Sequence, residues 1–172
     1  MSEATVRELV EGWSSAYAGL DQAEIDQRVL GFTALVRAIA ERGGARPADL
    51  AKAMGISADA AREAFEGLAA VGLQVDAEGR VVGAALTTEA TPHRVRIEAG
   101  DRYAWCALDT LFIPGLLRET AEIESTCPES GESIRLTVAP DRFQALEPEG
   151  AFVSIVDPRA LANRQVGPAS PT

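Results

Sequence analysis

The period of the hydrophobic pattern changes at about residues 83–92, and this change constrains the fold more than any other feature of the chain. Before it, apolar residues recur every three or four positions, which is typical of amphipathic helices. After it, short alternating runs between turn residues predict strands. The sequence therefore predicts an α+β fold. A winged-helix-like helical domain is expected over residues 1–85 and a small mixed β-sheet domain with one active-site helix over 86–160, with a disordered tail over 161–172.

The N-terminal part reads as helices followed by a hairpin. Residues 1–20 predict a short amphipathic helix and residues 21–42 a longer one. A further helix is expected to begin at Pro47, and Ser57 is a suitable N-cap for the next, which Gly72 closes. Alternation around Asp76–Gly79 predicts a hairpin. Helix, turn, helix and hairpin in this order indicate a winged helix-turn-helix.

The charge balance argues against nucleic acid as a partner. The chain carries 16 Lys and Arg against 26 Asp and Glu, a formal net charge of −10. The segment that would read DNA, Ser57–Gly72, has a single arginine, Arg62, among Asp59, Glu63 and Glu66. Phosphate contacts require the opposite balance. A winged-helix regulator is therefore the weakest functional alternative.

Nothing in the sequence predicts a membrane or secretory protein. No apolar run is long enough to span a bilayer, and the polar, acidic start differs from a secretory signal. We expect a cytoplasmic protein without a membrane partner, in which Cys106 and Cys127 are reduced thiols.

The second half alternates strands with one helix. "TPHRVRIEAGDRYAW" predicts two strands joined near Gly100, and "CALDTLFIPGLLRET" predicts a helix containing Pro114. "AEIESTCPESGESIRLTVAP" predicts two more strands joined by a turn at Pro128–Gly131, and "AFVSIVD" predicts a last strand.

Cys106 and Asp109 form the strongest chemical pattern. Cys106 stands where a strand gives way to a helix, and a helix N-terminus is expected to lower the pKa of its thiol. Asp109 follows at i+3 on the same helical side, and apolar walls from Tyr103 and Trp105 are expected to raise the pKa of its carboxyl. Together they offer a soft nucleophile and a proton carrier. The alternative is an inert buried cysteine.

His93 is the only histidine of the chain. A general base is one interpretation. A residue on the strand surface next to Pro92 is favoured instead, because no sequence neighbour forms a dyad with it.

The segment "YAWCALDTLFIPGLL" followed by "TAEIESTCPESGESIRLTVAPD" resembles the core of the organomercurial (alkylmercury) lyases. The resemblance covers roughly residues 25–157 and is most specific from Tyr103 to Pro140. That family also has a winged-helix-like N-terminal part which does not act on DNA, in keeping with the acidic helix described above.

The resemblance implies protonolysis of a carbon–mercury bond in a small organomercurial. It assigns Cys106 as nucleophile and mercury ligand, Asp109 as proton donor within the same metal site, and Cys127 as a structural residue. A second mercury ligand is the less favoured interpretation of Cys127. The products would be a hydrocarbon and bound Hg(II), a soft ion that prefers sulfur. No resident cofactor is implied, but an external thiol is needed for product release, with cellular thiols or a mercuric reductase as mercury acceptor.

Near its C-terminal end, this chain departs from the family pattern. A second catalytic cysteine is expected in an Arg-Gln-Ser-Phe-Cys type of motif after "GAFVSIV", whereas here Val166, Gly167 and Pro168 follow Arg164–Gln165. The resemblance thus predicts a C-terminally shortened member. Three interpretations stay open: a lyase that uses Cys106, Asp109 and an external thiol; a non-catalytic relative that binds or senses a soft metal; and a truncated reading frame that folds poorly.

Overall fold

The computed structural model describes residues 21–69 and 73–154. Three predictions lie outside the described residues: the helix over residues 1–20, the end of the Ser57-capped helix at Gly72, and the tail over 161–172. Within the described ranges, no helix combines the length and the apolar character needed to cross a bilayer.

Among the described residues, three helices precede the sheet, as the apolar spacing predicts: α1 (Gln22–Arg42), α2 (Pro47–Met54) and α3 (Ala58–Ala69). Pro47 begins α2, where its missing N–H costs nothing. Gly55 ends α2 in the left-handed conformation, with φ of 66°. The Ser57 hydroxyl accepts the N–H of Ala60 at 3.1 Å, which confirms the predicted N-cap of α3.

In the part of the chain that the structure describes, eight strands form one sheet in the order β1-β2-β3-β5-β4-β6-β7-β8, and a fourth helix, α4 (Ala107–Leu117), connects β5 to β6. The strands are β1 (Gln74–Val75), β2 (Val81–Ala84), β3 (Leu86–Thr87), β4 (His93–Ile97), β5 (Gly100–Ala104), β6 (Ala121–Thr126), β7 (Ser133–Ala139) and β8 (Arg142–Glu147).

Every strand pairing among the described residues is antiparallel. The α+β class is confirmed, but the expectation of a mixed sheet is wrong. Parallel neighbours require a long crossover connection. The crossover through α4 brings the chain back beside β4 rather than β5, and β6 runs antiparallel to β4.

Strand pairing crosses the boundary predicted at residue 85. That position lies between β2 and β3, which pair with each other, and β3 pairs in turn with β5. Residues Val29–Val153 form one compact unit. Helix, turn, helix and hairpin do occur in the predicted order, and the winged-helix assignment itself stays a prediction.

The two faces of the sheet differ in chemistry. Along β4, Val95 and Ile97 are buried in the core, and the alternate residues Arg94 and Arg96 point to the other face. There they form ion pairs with acidic residues of β5 and β6: Asp101, Glu122 and Glu124. Helix α4 packs on the apolar face, where Ile113 is fully buried.

Two arginines connect α1 to the region around α4. Arg102 of β5 donates to the carbonyl oxygens of Ile39, at 3.2 Å, and Ala40, at 2.5 Å, near the end of α1. Arg37 of α1 donates to the carbonyl oxygen of Leu116 at 3.1 Å. Cations are favourable at helix C-terminal carbonyls, so these bonds fix α1 against β5 and α4.

The end of the described chain differs from the prediction. Residues 151–154 pair with no strand, so the strand predicted for "AFVSIVD" is wrong over its described part, and its remainder lies outside the described residues. The edge strand β8, which the sequence analysis missed, comes just before it and has every residue exposed. In "RFQALE" polar and apolar residues alternate only from Arg142 to Ala145, and Leu146 then breaks the pattern that predicts a strand with one buried face.

Candidate active site

Cys106 is the N-cap of α4, two residues beyond the end of β5. Its backbone is extended, with φ of −142° and ψ of 166°, and its N–H donates to the Oδ2 atom of Asp109 at 3.0 Å. The N–H of the preceding residue, Trp105, donates to the carbonyl oxygen of Ala85 at 3.0 Å. The predicted pair is therefore brought together, and backbone bonds on both sides of the strand-to-helix junction fix its position.

Partial burial raises the pKa of the Asp109 carboxyl. The hydrogen bonds with Cys106 and the charge of His93 lower this pKa, but by less than the loss of water raises it. This direction agrees with the expectation from the sequence. An acid that keeps its proton closer to neutrality can serve as a proton donor.

The thiol of Cys106 behaves differently from the prediction. Loss of water around its sulfur and the neighbouring Asp109 carboxyl raise its pKa, and this outweighs the opposite effect of the N–H groups of Asp109 and Leu108. The expected lowering of this pKa is therefore wrong. Cys106 is nevertheless exposed, so a soft metal can reach its sulfur and displace the proton on binding.

Trp105 does not form the wall expected beside Asp109. It is 40% exposed, and its ring lies over β2, where a Cβ added at Gly83 would come within 2.7 Å of its Cζ2 atom. The absence of a side chain at Gly83 makes room for the indole. Neither Trp105 nor Tyr103 lines the cavity beside α4.

An apolar cavity of about 300 Å³ lies beside the first turns of α4. Side chains of α4, β6, β7 and the segment after β8 line it, among them Ala107, Thr110, Leu111, Ser125, Leu136 and Phe152. The Thr110 hydroxyl donates to the carbonyl oxygen of Ala107 at 2.7 Å and so does not interrupt the apolar wall. A cavity of this kind suits a small hydrophobic group.

His93 belongs to the same side of the sheet, which the sequence analysis missed. It is half-buried, and its Nδ1 atom lies 3.0 Å from the hydroxyl of Ser125, a cavity-lining residue. Burial lowers the pKa of His93, and the charge of Asp109 acts against that lowering. His93, Val95 and Ile97 are two positions apart, and this alternation places the histidine on the buried face of β4.

Cys127 lies in the turn between β6 and β7 and is half-buried. Hydrogen bonds from the hydroxyl and the backbone N–H of Ser130 lower the pKa of its thiol. These partners lie within its own turn. Among residues 21–69 and 73–154, no three His, Cys, Asp or Glu side chains are grouped to hold a metal ion. Both predicted site residues thus lie together at the start of α4.

Comparisons with known proteins point to one family. The family model described as alkylmercury lyase (MerB) matches residues 86–167, which include both Cys106 and Asp109. An alkylmercury lyase of Staphylococcus epidermidis is 40% identical over 143 residues, covering 83% of this chain and 65% of that protein. One from Streptomyces lividans is 43% identical over 90 residues, covering 52% of this chain and 42% of that protein. The chain thus spans between about two fifths and two thirds of these relatives' length.

A solved structure supports the fold. The mercury-bound form of MerB2 matches with a TM-score of 0.61 and 22% identity, covering 83% of this chain and 68% of that chain. The relatives are named as lyases and are therefore enzymes. From the family match over the site and the sequence identity near 40%, the chain belongs to the alkylmercury lyase family.

Proposed function

We propose that this chain cleaves the carbon–mercury bond of a small organomercurial by protonolysis. The observation that carries the proposal is the pairing of an exposed thiol, Cys106, with an acid of raised pKa, Asp109, at the start of α4, a helix that also lines an apolar cavity. Sulfur suits mercury, the carboxyl suits proton delivery, and the cavity suits the organic group.

The reaction balances with these residues and one external thiol. The Cys106 sulfur passes its proton to solvent and forms a bond to mercury, and the ligand opposite the organic group leaves as a free anion. A thiolate from solution occupies a second position on mercury and increases the electron density on the bonded carbon. The carbon–mercury bond then breaks heterolytically, its electron pair stays on carbon, and carbon takes the proton of Asp109. A hydrocarbon leaves, Hg(II) stays between two sulfurs, and water returns a proton to Asp109.

The proposal also includes the expectations made from the sequence about mercury acceptors, cofactors and location. Exchange with cellular thiols, or transfer to a mercuric reductase, would remove Hg(II) from Cys106. Turnover requires no resident cofactor in this scheme. We place the reaction in the cytoplasm, where Cys106 and Cys127 stay reduced.

A non-catalytic relative that binds a soft metal is the second candidate. One observation favours it. Cys106 is bonded to Asp109, whereas the hydrogen-bond partners of Cys127 lie within its own turn, so the described residues bring no second thiol into a hydrogen bond with this pair. Such a protein would bind Hg(II) or Cu(I) without releasing a hydrocarbon.

The test measures methane after incubation of the full chain with methylmercury and excess thiol. We expect the wild type to release methane, Cys106→Ser to lose both release and tight mercury binding, and Cys127→Ser to retain them. Cys127 is the matched control because it is the other cysteine of the chain. Tight Hg(II) binding without methane would favour the second candidate, and methane from Cys106→Ser would exclude Cys106 as the nucleophile.

A further inference from the structure

Strand β8 forms one edge of the sheet, and among the described residues it pairs with β7 alone. No other backbone hydrogen bond within this part of the chain reaches Arg142–Glu147. The strand at the opposite edge, β1, has only two residues, whereas β8 has six, and all six are exposed. An edge strand of this length offers its outward N–H and C=O groups to a further strand.

The apolar side chains of β8 are also exposed. Phe143 and Leu146 lie opposite Val138 and Leu136 of β7, which are buried on the apolar face of the sheet. The ladder shifts its register once between these two positions, so both side chains share that face although they are three residues apart. Phe143 is 62% exposed and Leu146 is 39% exposed, and the 87% exposed Phe152 lines the same cavity. An apolar patch of this kind at an open edge indicates an interaction surface.

The other face of β8 carries opposite charges at its two ends, Arg142 and Glu147. Arg142 has a side chain that is 65% exposed, and it forms an ion pair at 3.1 Å with its own neighbour, Asp141. Arg135 of β7 lies across from Glu147 but forms its ion pair with Glu124, at 3.6 Å. Within the described residues, both end charges of β8 are therefore available to a strand on its outer side.

The sequence of β8 is complementary to itself when two copies run antiparallel. In the register that aligns Arg142 of one copy with Glu147 of the other, Phe143 also aligns with Leu146. A two-fold axis repeats each contact, so the ion pair and the apolar pair each occur twice. The ion pairs fall on the charged face of the sheet and the apolar pairs on the apolar face. Cross-strand pairs of both kinds stabilise antiparallel sheets.

We propose that β8 is a self-association surface, which pairs antiparallel with β8 of a second copy of this chain in the register that joins Arg142 to Glu147. The two sheets then continue into each other through their edges. A second copy is the fitting occupant because the order of charges and the order of apolar side chains are both self-complementary. Any slip of the register separates both kinds of pair at once, so one alignment is favoured. This surface is independent of the reaction proposed for Cys106 and Asp109.

Charge reversal tests the proposal through sedimentation velocity of the full chain over a range of concentrations. We expect the wild type to form a dimer as the concentration increases. Arg142→Glu and Glu147→Arg should each lose the dimer, because each variant places like charges opposite one another at both ends of the strand pair. An equimolar mixture of the two variants should dimerise again, since every charge then faces an opposite charge.

Arg62→Glu is the matched control. Arg62 of α3 is exposed to a similar extent, 62%, and also forms an ion pair with a nearby acid, Asp59, so this variant should dimerise as the wild type does. A wild type that stays monomeric at every concentration overturns the proposal, as it would if another segment of the chain occupied this edge. A dimer that charge reversal leaves unchanged also overturns it. So does a mixture that stays monomeric although both variants keep the wild-type circular dichroism spectrum.

Discussion

A cysteine at a helix N-terminus is ordinarily more acidic than a free one, but Cys106 is less acidic. The main reason is the loss of water around its sulfur, and the Asp109 carboxyl, which accepts the N–H of Cys106, adds to the effect by placing an acceptor rather than a cation beside the sulfur. The surroundings therefore raise the pKa of both the thiol and the carboxyl. Mercury, which binds sulfur strongly enough to displace a proton, is the kind of substrate that such a site can select.

The pH dependence of turnover should report Asp109. Once mercury is bound, the sulfur no longer titrates, so at saturating organomercurial the remaining acid is Asp109. Because its pKa is raised, the protonated form persists above the ordinary carboxyl range and is lost as the pH rises through that value. We expect kcat to fall on the alkaline side of that value. A kcat that increases with pH throughout would instead indicate that thiolate formation limits the reaction.

At the scale of elements, α4 is the part on which the site depends. Its position follows from an apolar anchor, the fully buried Ile113, and from the contact of Arg37 with the carbonyl oxygen of Leu116 near its end. The exposed residue next to the anchor, Phe112, contacts Phe32 of α1 with the ring centroids 6.4 Å apart.

Substitution of the anchor should destabilise the protein more than substitution of its neighbour. Ile113→Ala removes a fully buried side chain and should cost about 2–5 kcal/mol of unfolding free energy. Phe112→Ala removes a larger side chain that is 37% exposed, and should cost less than half as much. Denaturant unfolding of the two variants measures the difference. Equal losses would show that burial against the sheet does not position α4.

The sequence predicted the local elements of this region well but not their pairing. Strand alternation and the Gly100 turn predicted β4 and β5, and the cysteine beside Trp105 marked the start of α4. Which strands lie side by side depends on contacts distant in sequence, so the order β3-β5-β4-β6 was not predicted. Likewise His93 and Asp109 are 16 positions apart, and only the register of β4 brings the histidine to the site.

At the scale of the whole molecule, the cavity is what the sequence revealed least. Residues of α4, β6, β7 and the segment after β8 form its walls, and no single sequence motif contains more than a few of these residues. The predicted aromatic wall was wrong for the same reason, since Trp105 packs over Gly83 on the far side of β5 from β4. The pair of Cys106 and Asp109 was found because its spacing is local, whereas the space for an organic group is a property of the assembled sheet and helix.

The variant Asp109→Asn separates capture of mercury from delivery of the proton, the two steps on which the proposed function depends. The asparagine keeps an acceptor for the N–H of Cys106 but has no acidic proton. Native mass spectrometry of this variant after methylmercury treatment, with methane measured from the same sample, tests both steps at once. We predict an intact methylmercury adduct on the protein and a release rate about 10²–10⁴-fold below that of the wild type. Methane release at the wild-type rate, or no adduct at all, would contradict the assignment of Asp109 as proton donor beside a mercury-binding Cys106.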